Sequence, residues 1–330
     1  MARPALSLPS IGSQIVAWLV GALVCAASYG GAAYGVEAQT AVSQSPVTLP
    51  ERVAAEVEAI DAAARAGMAP LKLGRLWARL ASDYEDEMDV VRSEDAYNQG
   101  LRLLDAAGAR LDYAVVLDNL GSLFLIEGNY VEAERCRRRS LTVREALGDR
   151  LEIARGKAHL AEVELGRHRY KDAAQDLAAA YSEMVAQKDP DAEEMVATLS
   201  SLVYAECGYD SCVGSLEHAR EALLLAHKAF DADSLPVGQA HLALGYAEWK
   251  AGMKEGPEEE MLEGIRIMKA RTSPTHPYVL AALQQYRAYL ESEHRGPEAR
   301  EIAAQVSQIE GVRRSECINC TVSVDRLRGR

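Results

Sequence analysis

The chain has few aromatic residues, and this scarcity narrows the fold classes open to it. Only 6% of its 330 residues are Phe, Trp or Tyr, and Phe occurs twice. Alanine recurs throughout, together with long unbranched residues, and these side chains lose little conformational entropy in a helix. We therefore predict an all-α fold rather than a β-sandwich or a doubly wound sheet.

The chain also lacks the short motifs that mark catalytic, phosphate-binding and metal sites. Its seven histidines show neither HExxH spacing nor a partnered cysteine, and no GxSxG sequence is present. We therefore predict no catalytic residues, no cofactor and no metal site. An enzyme with an all-helical active site is the alternative, and it would need converging carboxylates that the spacing does not single out.

The chain has fewer positively charged residues than negatively charged ones, and its formal net charge is -13. An acidic surface repels the phosphate backbone, so nucleic acid is not an expected partner. The same charge keeps a protein soluble and favours a basic or neutral partner. We expect that partner to be another protein or a peptide.

The first part of the chain has the features of a targeting segment. No charged residue lies between Arg3 and Glu37, and residues 15–27 are mostly apolar. This length suits the core of a signal peptide better than a full membrane span, so we predict a signal peptide over residues 1–38. The protein is then exported, to the periplasm or the cell envelope. The alternative is an uncleaved membrane anchor through residues 15–35.

Self-similarity organises the rest of the chain. After a linker at residues 39–50, a large apolar residue followed by a small or branched one recurs at spacings of 40, 40, 42 and 42 residues. Another small residue follows nineteen positions after each pair, which predicts two close-packed helices per repeat. We assign residues 51–306 to these repeats and residues 307–330 to a C-terminal tail. The recurring pairs are Leu80-Ala81, Leu120-Gly121, Leu160-Ala161, Leu202-Val203 and Leu244-Gly245.

These positions carry a family resemblance. In the first repeat the characteristic places are filled by Trp77, Leu80, Ala81, Tyr84, Tyr97 and Gly100. The pattern resembles the tetratricopeptide repeat (TPR) family, in its longer kinesin-light-chain-like variety, over residues 70–305. The resemblance implies an all-α, right-handed superhelical solenoid of about five to six antiparallel helix pairs. Later repeats depart from it, because Glu164, Glu206 and Glu248 replace the first-helix aromatic.

The resemblance also implies where a partner binds. First helices of such repeats line the concave face, so the chain is expected to be a non-catalytic protein–protein interaction scaffold that holds a polypeptide segment there. The alternative is a ligand- or peptide-responsive sensor with the same fold. The polar and aromatic residues expected on that face are Asn119, Ser122, Arg155, His159, Tyr204, Gln239, Tyr246 and Lys250.

The cysteines suggest local disulfides. Cys207 and Cys212 flank a turn, and Cys317 and Cys320 form a CxxC sequence. In an oxidising compartment each close pair can form a bond. Idle thiols are the alternative for either pair, and a metal or redox site is a further alternative for the CxxC. Cys136 has no obvious partner and is expected to be buried or free.

A basic run lies on a predicted second helix and contains Arg135, Arg137, Arg138 and Arg139. Second helices face the convex side in the family, so we expect these guanidinium groups to form a solvated surface. Binding of an acidic peptide or a phosphate is the alternative.

Overall fold

A computed structural model describes residues 49–86, 89–209 and 212–317. Those residues form thirteen α-helices and no strand, which confirms the predicted all-α class. The helices are α1 (Leu49–Arg65), α2 (Pro70–Asp86), α3 (Val90–Ala106), α4 (Arg110–Ile126), α5 (Tyr130–Leu147), α6 (Arg150–Gly166), α7 (Tyr170–Val185), α8 (Ala192–Tyr209), α9 (Ser215–Ala229), α10 (Leu235–Lys250), α11 (Pro257–Arg271), α12 (Pro277–Ser292) and α13 (Gly296–Cys317).

After α1, the helices follow one another as six consecutive pairs, with the predicted first helices at α2, α4, α6, α8, α10 and α12. Short connections link the members of each pair and also join one pair to the next. Between α5 and α6, Gly148 adopts a left-handed conformation with a φ of 76°, and its N–H donates to the Arg144 carbonyl. Glycine takes this backbone conformation without the steric cost that a Cβ would add, so it ends the helix sharply.

Small residues lie at the helix crossings, as the repeat pattern predicts. A Cβ atom added to Gly245 on α10 would lie 2.9 Å from the Pro257 carbonyl oxygen on α11. One added to Gly264 would lie 2.9 Å from the Gly238 carbonyl oxygen. Because these separations are shorter than normal carbon–oxygen contacts, the backbones can approach this closely only with glycine at the crossing.

The described residues divide into two compact units, 49–156 and 157–313. In the first, the core is formed by aliphatic side chains such as Leu80, Leu104 and Leu117, all with no exposed surface. In the second, Val196, Leu199 and Ile267 are likewise fully buried in one cluster. Each unit therefore has a hydrophobic core of its own.

Both ends of the helical region extend past the predicted repeat boundaries. Helix α1 begins at Leu49, inside the predicted linker, and α13 continues to Cys317, inside the predicted tail. The predicted signal or anchor segment (residues 1–38, with the apolar 15–35) lies outside the described residues. Within the described ranges, no helix is both long and apolar enough to cross a membrane.

Candidate partner-binding groove

Four of the eight residues predicted to face a partner are buried. Tyr204 has no exposed surface, Ser122 and Gln239 are each 1% exposed, and Tyr246 is 4% exposed. A side chain without exposed surface cannot contact a partner in this conformation. The assignment of these four residues to an open binding face is therefore wrong, and they pack the interior instead.

The physical reason is visible in the unit formed by residues 157–313. The Tyr204 hydroxyl on α8 donates to the Gln285 side-chain oxygen on α12 at 3.2 Å, across 81 residues of sequence. The Gln285 amide nitrogen in turn donates to the Leu242 carbonyl on α10 at 2.8 Å. The Tyr204 and Tyr246 rings lie 4.9 Å apart. The first helices α8, α10 and α12 thus share contacts through the side chains expected to line a groove.

In the unit formed by residues 49–156, Ser122 is hydrogen-bonded to a buried arginine. Arg137 has no exposed surface, and its guanidinium donates to the Ser122 hydroxyl at 2.6 Å. A Cβ atom added to Gly121 would lie 2.9 Å from the Arg137 Nε, so the missing side chain makes room for this guanidinium. The expected solvated surface is therefore wrong for Arg137, although Arg135, Arg138 and Arg139 are exposed.

Asp118 joins two buried arginines in the same unit. Its carboxylate accepts a hydrogen bond from Arg144 at 2.7 Å and lies 3.6 Å from an Arg137 nitrogen. Arg144 also pairs with Glu152. Because buried charges are costly unless they are paired, this network stabilises the packing of α4 against α5 and does not present charge to a partner.

The other four predicted residues keep some accessibility. Asn119 is half-buried, and Arg155 pairs with Glu152 at 2.5 Å. His159 lies 3.6 Å from Glu162. Lys250 is exposed, with its ammonium 5.1 Å from the centroid of the Trp249 ring. These four positions stay predictions as partner contacts.

An open groove of about 810 Å³ lies in the unit formed by residues 157–313. Its walls come from the α10–α11 connection and the outer side of α11, with one residue each from α10 and α12. The lining residues are His241, Lys254, Glu255, Gly256, Glu258, Glu259, Glu260, Leu262, Glu263, Arg266 and Tyr289. No motif in the sequence marks this surface as a binding site.

Some of the carboxylates in the groove are neutralised by the protein's own cations. Arg266 donates to Glu263, and Arg295 donates to Glu258 at 2.6 Å. The hydrogen bond from each arginine holds the pKa of its glutamate below the usual value. His241 lies 2.6 Å from Glu260.

Two carboxylates of the groove have no such partner. Within the described ranges, neither Glu255 nor Glu259 forms an ion pair, and both side chains are exposed. The one lysine on the wall, Lys254, lies 3.7 Å from Glu293. The groove therefore presents surplus negative charge to solvent.

Glu248 adds a buried carboxylate behind the groove wall. It is 8% exposed, and its Oε2 finds no hydrogen-bond partner among the described residues. That oxygen would lie 2.5 Å from a Cβ placed on Gly256, which lines the groove. Burial, and secondly the charge of Glu260, raises the pKa of Glu248, while Arg220 opposes the shift. Gly256 therefore lies against this carboxylate and also lines the groove.

The structure describes the side chains of Cys136, Cys207 and Cys212. The structure joins Cys207 to Cys212 by a disulfide. Cys136 is buried outside any disulfide, and burial raises the pKa of its thiol to about 11, which makes it a poor nucleophile. The predicted Cys317–Cys320 bond lies outside the described residues. In the part of the chain that the structure describes, no group of three His, Cys, Asp or Glu side chains is placed to hold a metal ion.

The helix pairs and their glycine crossings give the described part of the chain an all-α, TPR-like repeat fold. Similar solved structures support this class. RapI in its apo form has a TM-score of 0.64 and 14% sequence identity, and the match covers 79% of this chain and 91% of RapI. A Rap protein complexed with Competence and Sporulation Factor has a TM-score of 0.62 and 12% identity, covering 80% of this chain and 72% of that one.

BtubC (BKLC) from P. vanneervenii has a TM-score of 0.55 and 16% identity, and the match covers 68% of this chain and 92% of BtubC. Identities this low establish a shared fold alone. No protein-family model and no curated protein matches the chain.

Proposed function

We propose that this chain is a non-catalytic protein–protein interaction scaffold that binds a polypeptide segment in the groove beside α11. The observation that carries the proposal is the open groove of about 810 Å³, whose walls are charged and set on packed helices. Helices held by their own core present side chains to a partner with little loss of conformational entropy on binding. We assign partner binding to this groove instead of to the predicted concave-face residues that are buried.

We also propose that the protein is located outside the cytoplasm, in the periplasm or at the cell envelope. The apolar residues 15–27 support export. The Cys207–Cys212 disulfide suits an oxidising compartment, where such a bond persists. N-terminal sequencing of the mature protein tests this, because a signal peptide would leave a new terminus near residue 38 and an anchor would not.

Site-specific crosslinking tests the scaffold. A photo-crosslinking amino acid at Leu262, which lines the groove, is compared in living cells with the same amino acid at Leu224, an exposed position on α9 outside the groove. We expect a discrete polypeptide adduct from Leu262 alone, identified by mass spectrometry. No adduct from Leu262, or the same adducts from both positions, contradicts the proposal.

A second candidate function is a ligand- or peptide-responsive sensor. The groove's volume favours it, because sites for small ligands commonly enclose 300–1,000 Å³. A thermal-shift screen separates the two functions. Stabilisation by one small compound at saturating excess, by about 3 kcal/mol at a hundredfold excess over its Kd, supports the sensor. Crosslinking to a polypeptide without such a compound supports the scaffold.

A further inference from the structure

The carboxylates of the groove are more numerous than the helix dipole explains. Glu258, Glu259 and Glu260 occupy the first turn of α11, where the dipole favours negative charge. Glu255 precedes the helix, and Glu248, on α10, lies behind the groove wall. The dipole of α11 therefore accounts for neither Glu255 nor Glu248.

The buried Glu248 is the observation that points to a further positive charge, beyond that of Arg220. Its Oε2 is shielded from solvent and accepts no hydrogen bond from the residues that the structure describes, and such a group destabilises the folded state. That oxygen packs against Gly256, which lines the groove. A cation in the groove would lie close enough to offset this charge, because screening is weak at a partly buried site.

The remaining wall suits an organic cation. Tyr289 lines the groove, and its ring stacks with Tyr286 at 6.2 Å. Arginine and lysine side chains bind both carboxylates and aromatic rings. The described residues offer no three-ligand metal group, so a cation held by dispersed carboxylates fits better than a metal ion.

We propose that the groove holds an arginine or lysine side chain of the bound polypeptide, with Glu255 and Glu259 contacting the cation and Glu248 attracting it from behind Gly256. This inference rests on the proposed scaffold function and names the chemistry of its partner. The partner's binding segment is basic, in keeping with the net charge of -13 on this chain.

The test uses the full chain and a fluorescein-labelled peptide that alternates arginine with alanine, with a glutamine–alanine peptide as the neutral probe. Fluorescence anisotropy is measured at low and at physiological salt. The groove variant is Glu255→Gln with Glu259→Gln. The control variant is Glu217→Gln with Glu301→Gln, which removes the same charge from exposed positions outside the groove lining.

We expect the arginine peptide to bind, the neutral peptide not to bind, and the groove variant to lose about tenfold in affinity. The control variant is expected to stay within about twofold. Equal weakening in both variants, or no binding of the arginine peptide at low salt, overturns the cation site. The first outcome would show that general attraction to an acidic protein accounts for the binding.

Crosslinking from Leu262 separates failure of this inference from failure of the scaffold. If the polypeptide adduct forms with unchanged yield in the groove variant, the scaffold stands and the cation site is wrong. If the adduct falls in the groove variant and persists in the control variant, both proposals are supported. If no adduct forms in the unsubstituted chain, the scaffold itself is wrong.

Discussion

The two units bury polar side chains in opposite ways. In residues 49–156, Asp118 lies between the guanidiniums of Arg137 and Arg144, so the interior holds charges that neutralise one another. In residues 157–313, the first helices are joined by the neutral pair Tyr204 and Gln285. The same repeat pattern thus permits paired ions in the interior of one unit and a neutral tyrosine–glutamine contact between the first helices of the other.

The difference shows where charge has a structural role and where it does not. Every buried charge around Asp118 has an opposite charge nearby, which is what a stabilising network requires. Glu248 in the second unit is paired less completely: Arg220 opposes the rise in its pKa, but its Oε2 has no hydrogen-bond partner in the described ranges. A buried charge that the chain pairs so incompletely is a candidate for binding a cation from outside it.

Asp118→Ala is expected to have the largest effect on stability. It removes the carboxylate that the buried Arg137 and Arg144 share, although Arg144 keeps Glu152, and we expect a cost of about 3–5 kcal/mol in the free energy of unfolding. Urea denaturation measures the loss. The matched control is Asp105→Ala, which removes an exposed carboxylate paired with Arg110 and is expected to cost less than about 0.5 kcal/mol. Similar costs for the two variants would remove the contrast between the units.

Gly245→Ala tests the helix crossings of the second unit. The new methyl group would lie 2.9 Å from the Pro257 carbonyl oxygen, so α10 and α11 must separate, at about 1–3 kcal/mol. Gly311→Ala is the control, because a Cβ there meets nothing within 4 Å and alanine favours the helix by up to about 1 kcal/mol. A loss of stability in the control, or none at Gly245, would contradict the close approach.

Tyr204→Phe tests how much the hydrogen bond between Tyr204 and Gln285 contributes to stability. The variant keeps the ring and removes the hydroxyl that donates to Gln285, and we expect it to cost about 1 kcal/mol. Tyr209→Phe, at an exposed position on the same helix, should change stability by less than about 0.5 kcal/mol. If Tyr204→Phe proves as costly as Asp118→Ala, the neutral interior is no less demanding than the ionic one.

Glu248 is expected to make the second unit less stable at neutral pH than under mildly acidic conditions. Burial raises the pKa of Glu248 above its ordinary value of 4.5, so the folded chain holds this proton more tightly than the unfolded chain. Stability therefore falls as pH rises from about 4.5 through the raised pKa. The difference between the unsubstituted chain and Glu248→Gln should grow over the same range in thermal melts, and a constant difference would contradict the assignment.

Much of the fold could be predicted because the repeat spacing records local geometry. The forty-residue recurrence identified the helix pairs, and Gly121 and Gly245 do lie at crossings. The ends of the helical region were less accessible to prediction. Neither Leu49 nor Cys317 has the periodic apolar pattern that identifies the inner repeats, yet both are helical.

The site was harder to predict because its determinants are contacts between distant residues. Nothing in the sequence near Tyr204 indicates that its hydroxyl contacts Gln285, 81 residues later. The sequence therefore could not show that this tyrosine is buried. Arg137 lies in a run of arginines, and the other arginines of that run are exposed. Its guanidinium fits in the interior because Gly121 has no side chain there. Glu248 did leave a trace, because it stands where the family resemblance expects an aromatic residue.

Glu248 is expected to destabilise the chain when no partner is bound and to strengthen the binding of a basic partner. The most direct test measures both properties of Glu248→Gln at pH 8, with Glu217→Gln as control. We predict a melting temperature about 2 °C higher, together with affinity for the arginine peptide about threefold lower. A lower melting temperature with unchanged affinity would contradict the account.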